Sequence, residues 1–207
     1  MIQTILNNMV HLNKKRILIS FAILFSIFAA DQITKSIFEK NFMIPCNPPD
    51  AEKYCGEKEM TIFSLGEPAT HMHPTNFFFS AGFTYVRNTG AAWSLFADLP
   101  QHFRIFFHLI TLVAISFIIV FLKRLINGPA VPYYGLVFVL GGALGNFFNR
   151  LYLGYVVDSI VMDWSLLGWF YYFPRYNLAD SCISCGFTVF LIYSLIKGDK
   201  FETKKEL

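Results

Sequence analysis

Charge is what this chain has least of. Of its 207 residues only 15% are charged, against roughly 25% in an ordinary soluble domain. The 55% that are hydrophobic, with 24 phenylalanines among them, and a mean hydropathy of +0.46 exceed what a soluble fold could bury, so the chain reads as an integral membrane protein. The net charge of +3 is small, and no basic stripe suggests nucleic acid as a partner. Cysteine is scarce, at four residues. Cys46 and Cys55 fall in one polar segment, where an oxidising exterior permits a disulfide but the spacing does not require one. Cys182 and Cys185 share a helical face and read as small packing residues at a helix interface. His71 and His73 alternate in a loop with no further ligand nearby, too few for a metal site. Internal repeats and low-complexity runs are absent.

Four apolar segments are present, at about 17–38, 103–122, 133–149 and 179–196. A helix needs roughly 20 residues to cross the hydrocarbon. The first two suffice, and the last two borrow flanking residues. Lys14, Lys15 and Arg16 precede the first span, Lys123 and Arg124 follow the second, and Lys197, Lys200, Lys204 and Lys205 follow the fourth. Basic residues collect on the cytoplasmic side, so all three clusters agree if both termini are cytoplasmic. Segments of about 39–101 and 150–178 then face outward. Phe28, at −3 before Asp31, is too large for a small-x-small cleavage site, so the first span reads as retained.

In the first outer segment, the prolines of Ile44-Pro-Cys-Asn-Pro-Pro-Asp50 exclude helix. The aromatic and β-branched run Phe77 to Val86 reads as a strand or two, with Trp93 and Phe96 dipping into the membrane interface. In the second, Trp164, Trp169, Phe170, Tyr171, Tyr172 and Phe173 suit an aromatic belt or substrate contact equally.

Polar residues gather at the outer ends of the spans. Asp31 stands roughly 21 Å above the inner end of the first span, at 1.5 Å per residue. Lys35, one turn on, is placed for a structural ion pair with it. Arg87-Asn-Thr-Gly-Ala-Ala-Trp93 combines Asn88, a donor and acceptor, with a tight turn at Gly90. Gly141-Gly-Ala-Leu-Gly145-Asn146 closes the third span with small residues that let another helix approach. Asn146, Asn149 and Arg150 follow at helical spacing, so they read as pointing to one side. Asp158 and Asp180 border apolar segments on the same predicted side. Taken singly they read as a loop carboxylate and a helix N-cap. Taken together they suggest a shared proton and acid–base chemistry, because ionisable groups at membrane depth are functional candidates by default.

The blocks Asp31-Gln-Ile-Thr-Lys35, Asn88-Thr-Gly-Ala-Ala92, Gly141-Gly-Ala-Leu-Gly-Asn146, Arg150, Val156-Val-Asp158 and Asn177-Leu-Ala-Asp180, in this order across four spans, resemble the lipoprotein signal peptidases, the bacterial type II signal peptidases. The resemblance covers about 17–196. It implies a single, mainly α, membrane-embedded peptidase domain of four transmembrane helices, with a small extracytoplasmic β-sheet and a helix or loop over the site. It implies a monomeric aspartic endopeptidase of the bacterial inner membrane, active on the periplasmic side. The enzyme would remove signal peptides from diacylglyceryl-modified prolipoproteins just before the lipidated cysteine, among membrane lipids and with no metal or cofactor. Asp158 and Asp180 correspond to the catalytic dyad. Asn88, Gly90, Asn146, Arg150 and Asn177 correspond to positions around the substrate, and Asp31, Lys35 and Asn149 to structural support. The chain departs from the family pattern at Asn149, where aspartate is usual, and in an expanded outer segment at about 43–79. An inactive lipoprotein-binding relative and a small transporter are the alternatives, although a transporter would be expected to show repeats or broken helices.

Overall fold

A computed structural model describes residues 2–43, 59–65, 78–90, 103–166 and 169–197, with side chains outside the description at 2–12, 78, 103–107 and 165–172. The elements in order are α1 (Ile2–Phe42), β1 (Met60–Leu65), β2 (Phe78–Asn88), α2 (Phe103–Leu125), α3 (Ala130–Tyr152), β3 (Val156–Leu166), β4 (Trp169–Tyr172) and α4 (Leu178–Lys197). All four helices are long and apolar enough to cross a membrane. With the small sheet they give the expected fold class. The spans read from the sequence fall inside these helices, each of which runs on into more polar residues at its ends. Cys46, Cys55, His71, His73, Trp93 and Phe96 lie outside the described residues.

The chain divides into two compact units. The first comprises Met1–Asp31, His108–Phe147 and Leu178–Leu207. Its central element is α3, with 56% of its apolar window buried against 11–17% for the other three helices. Leu125, Tyr133, Leu136 and Val137 form the buried cluster, flanked by Ile23, Leu24, Ile118, Leu122 and Phe190. The outward faces carry exposed apolar side chains such as Leu18, Phe21, Phe25, Phe117 and Leu195, as expected of helices solvated by lipid. Helices α3 and α4 touch backbone to backbone at Gly135, where an added Cβ would lie 2.9 Å from the Gly186 carbonyl oxygen. Such small-residue contacts replace the hydrophobic drive that lipid removes. Cys182 is half-buried but Cys185 is exposed, so Cys185 is not the interface residue its spacing suggested.

One end of this unit is basic. Arg16 donates to the carbonyl oxygens of Ile126 and Gly128, both at 2.8 Å, and of Leu125 at 3.5 Å. Its guanidinium also lies 5.7 Å from the Tyr133 ring centroid. The last carbonyls of a helix lack intrahelical partners, and an arginine there satisfies them and complements the dipole. Arg16 is therefore a cap for α2 as well as a member of a basic cluster.

The second unit comprises Gln32–Phe107 and Phe148–Asn177. Its sheet is antiparallel throughout, in the order β1-β2-β3-β4. It packs on the end of α1 through the Phe38 and Phe83 rings, 5.0 Å apart. Only β2 was expected from the sequence. Asp158, read as a loop carboxylate, stands in β3, because buried Val156, Val157 and Val161 and half-buried Ile160 supply an apolar strand around it. From Phe78↔Ser165 to Phe83↔Ile160 the β2–β3 ladder is regular, and it resumes one residue out of step at Val86↔Asp158. The bulge so formed sits at Thr84 and Tyr85. Gly154, at φ 79°, ends α3 in the left-handed conformation that glycine adopts without strain. Its amide bonds to the Arg150 carbonyl at 3.1 Å.

Candidate active site

Asp180 lies in the first unit and Asp158 in the second. Asp180 is in the first turn of α4, inside the helix rather than at the N-cap position. Asn146 of α3 donates its Nδ2 to Asp180 Oδ1 at 2.7 Å. The orphan amide of Ala179 is met by a side chain from another helix: it donates to Asp31 Oδ1 at 3.1 Å. Asp31 is fully buried. It fits there because α3 carries glycine opposite, where a Cβ on Gly145 would stand 2.6 Å from Asp31 Oδ2. One turn earlier, Gly142 lies against the Ala179 carbonyl. Asp31, Gly142, Gly145 and Asn146 thus set the start of α4, and with it Asp180.

Asp158 is buried in β3, where a carboxyl group needs partners. Asn177 donates to its Oδ1 at 2.7 Å and Asn88 to its Oδ2 at 3.0 Å. The Asn88 amide is oriented in turn by the Gly90 N–H, which bonds to Asn88 Oδ1 at 3.0 Å. Arg150 donates Nη2 to the Gly90 carbonyl at 3.2 Å. Asn177 is held in reach of Asp158 by main-chain bonds between Tyr176 and β3: the Ile160 and Ser159 amides donate to the Tyr176 carbonyl at 2.8 and 3.0 Å. The structure therefore gathers Asp158, Asn88, Gly90, Arg150 and Asn177 within one unit.

Of the two first-helix residues, Asp31 belongs to the first unit and Lys35 to the second. Buried Lys35 donates to Asn149 Oδ1 at 2.9 Å, while Asn149 and Gln32 exchange amide bonds at 3.1 Å. Asn149 thus engages Gln32 and Lys35, and Arg150 the Gly90 carbonyl. Among the described residues no group of three or more metal-ligating side chains occurs. Gln32, Glu39, Arg16 and Tyr155 make specific contacts that sequence reasoning missed. Nothing in local spacing marks them, since Arg16, Gln32 and Tyr155 meet partners more than a hundred positions away and Glu39 also meets Tyr85, 46 positions on.

Four helices of membrane-spanning length, a small antiparallel sheet and two carboxyl groups bonded by asparagine amides, Asp158 buried and Asp180 half-buried, fit an integral membrane enzyme of acid–base type. The family described as Signal peptidase (SPase) II matches residues 23–196. A lipoprotein signal peptidase of Pseudomonas aeruginosa (strain UCBPP-PA14) is 42% identical over 122 residues, covering 59% of this chain and 67% of its own. One from Listeria monocytogenes serotype 4a (strain HCC23) is 38% identical over 122 residues, covering 58% and 74%. A solved bacterial membrane enzyme aligns with 91% of this chain and 93% of its own at 26% identity and a TM-score of 0.55. A second aligns with 86% and 93% at 25% identity and a TM-score of 0.54. The chain belongs to the signal peptidase II family.

Proposed function

We propose that the protein removes signal peptides from diacylglyceryl-modified prolipoproteins, cleaving before the lipidated cysteine, with Asp158 and Asp180 as its catalytic dyad. The observation that carries this reading is the dress of the two carboxyl groups. Asp158 accepts two asparagine amides and Asp180 accepts one, so each is oriented by donors that give up no proton. Two such groups brought together disfavour double ionisation and hold one proton as a pair. The ionised partner takes a proton from water as its oxygen bonds to the scissile carbonyl carbon, and the protonated partner donates to the carbonyl oxygen. When the tetrahedral adduct collapses, the C–N bond breaks and the amine of the lipidated cysteine leaves with a proton. Asp180, in the first turn of a helix, has the dipole on the side of its ionised form, which favours it as the base.

Gly90 and Arg150 offer main-chain and guanidinium contacts for the extended peptide on either side of the cut, with Asn88, Asn146 and Asn177 orienting the dyad beside it. Asp31, Lys35 and Asn149 support the helices. The enzyme is a monomer of the bacterial inner membrane with both termini cytoplasmic and the site periplasmic. The gathering of basic residues at one end of the helical unit, with Asp180 at the other end of α4, supports that orientation. The test is cleavage of a purified lipid-modified prolipoprotein by Asp158→Asn and Asp180→Asn. Both variants should insert and fold yet release no signal peptide; normal processing by either would end the dyad assignment.

A further inference from the structure

A second polar cluster in the sheet unit has no part in the chemistry above. Tyr155, just before β3, donates its hydroxyl to Glu39 Oε1 of α1 at 2.6 Å. Tyr85 OH reaches the same oxygen at 3.5 Å and receives Arg87 Nε at 2.8 Å. The Arg87 guanidinium lies 4.7 Å from the Tyr155 ring centroid, with Nη2 4.0 Å from Glu39 Oε1 and 3.1 Å from Met43 Sδ. One carboxylate thus ties the end of α1 to β2 and to the residue that leads into β3, the strand that carries Asp158.

The strand pattern gives this cluster a consequence. Side chains alternate across a sheet, so Tyr85 and Arg87 share one face of β2 while Val86 and Asn88 share the other. Asp158 pairs with Val86 and therefore shares the face of Asn88, which donates to it. Were the regular ladder of Phe83↔Ile160 to continue without the bulge, Tyr85 would stand opposite Asp158. The carboxyl group would then face away from Asn88, because a slip of one residue moves every side chain to the other face. The bulge carries a cost of its own: the Thr84 hydroxyl is fully buried with no hydrogen-bond partner among the described residues. An interaction elsewhere must hold it.

We infer that Glu39 and Tyr155 are positioning residues, a register lock that grips Tyr85 and Arg87 on the helix side and so fixes the face on which β3 presents Asp158. Neither touches Asp158; they act through the strands. The inference rests on the reading of Asp158 as catalytic. Bulges beside active sites re-aim side chains in this way, and a misplacement of about 1 Å costs on the order of a hundredfold in rate.

The experiment measures kcat and KM for prolipoprotein cleavage in Tyr155→Phe, Glu39→Leu and Glu39→Gln, with amide hydrogen exchange over 156–160 and over α3. Phe deletes only the hydroxyl, and Gln keeps an oxygen that accepts it. Tyr155→Phe and Glu39→Leu should lower kcat by about ten- to a hundredfold at nearly unchanged KM and speed exchange at 156–160 but not in α3. Glu39→Gln should stay close to wild type. Unchanged kcat in Tyr155→Phe and Glu39→Leu would overturn the lock. So would a parallel loss of kcat, KM and exchange protection across sheet and helices, which marks general destabilisation. Asp158→Asn, run alongside, separates the two claims: if it still cleaves, the catalytic reading fails, while the exchange data still decide whether the cluster sets the register.

Discussion

Gly145→Ala puts the helix junction to a quantitative test. The added methyl carbon would stand 2.6 Å from Asp31 Oδ2, 3.2 Å from its Cγ and 3.6 Å from the Ala179 Cβ. The first contact lies well inside normal van der Waals range. Asp31 has little freedom to retreat, because it is fully buried and holds the Ala179 amide through its other oxygen. Overpacking at such a site costs about 1–3 kcal/mol, and giving up the amide bond costs about 1 kcal/mol more. The expected destabilisation is therefore about 2–4 kcal/mol, read as a shift in reversible unfolding in mixed micelles. Gly128→Ala is the control. Its nearest neighbour would be the Leu125 carbonyl at 3.3 Å in the turn after α2, and its effect should stay within about 0.5 kcal/mol. Cleavage should fall with Gly145→Ala, because the start of α4 also carries Asp180. A Gly145→Ala protein as stable as wild type would refute the close contact between Asp31 and α3.

Three further outcomes follow from the same contacts. Asn177→Ala and Asn88→Ala each strip one donor from buried Asp158, a loss of about 1–3 kcal/mol that should appear as about ten- to a hundredfold in kcat/KM in a cleavage assay. Asn149→Asp, which restores the residue usual in the family, should leave cleavage intact and raise stability, because Lys35 Nζ already lies 2.9 Å from Asn149 Oδ1 and gains a charge-assisted bond; lost stability would show that the buried site rejects the charge. Burial first, and then the hydrogen bond to Glu39, push the Tyr155 phenol well above its ordinary pKa of 10.0. The raised value favours the protonated form in the folded state, so this contribution to stability is complete below about pH 10, where unfolded tyrosine ionises. It is lost as pH rises from there through the folded value. Alkaline unfolding should show a smaller loss for Tyr155→Phe than for wild type over that range.

Much of the fold is legible in the sequence because lipid imposes a length and a composition on each span. The polar ends of the helices are less so. Asn149, Arg150 and Tyr152 remain helical in α3 because their side chains find partners or face outward, which hydropathy alone does not register. Strand β3 is hidden by Asp158, Ser159 and Asp163, polar residues buried on both faces of the strand, so no apolar–polar alternation marks it. Strand β1 is six residues long with every residue exposed, so no alternation marks it. The site residues are legible as motifs, yet their contacts are not. Arg16 meets Ile126 across 110 positions and Glu39 meets Tyr155 across 116. Only the folded chain reveals that Asp31 caps α4, or that a single-residue bulge decides the face of Asp158.

The central claim is that two carboxyl groups share one proton during cleavage. The pH dependence of kcat on a lipid-modified prolipoprotein tests it most directly. A coupled pair that needs one member ionised and one protonated gives a bell with both limbs. A flat profile, or one limb alone across the range in which the enzyme stays folded, would contradict the account.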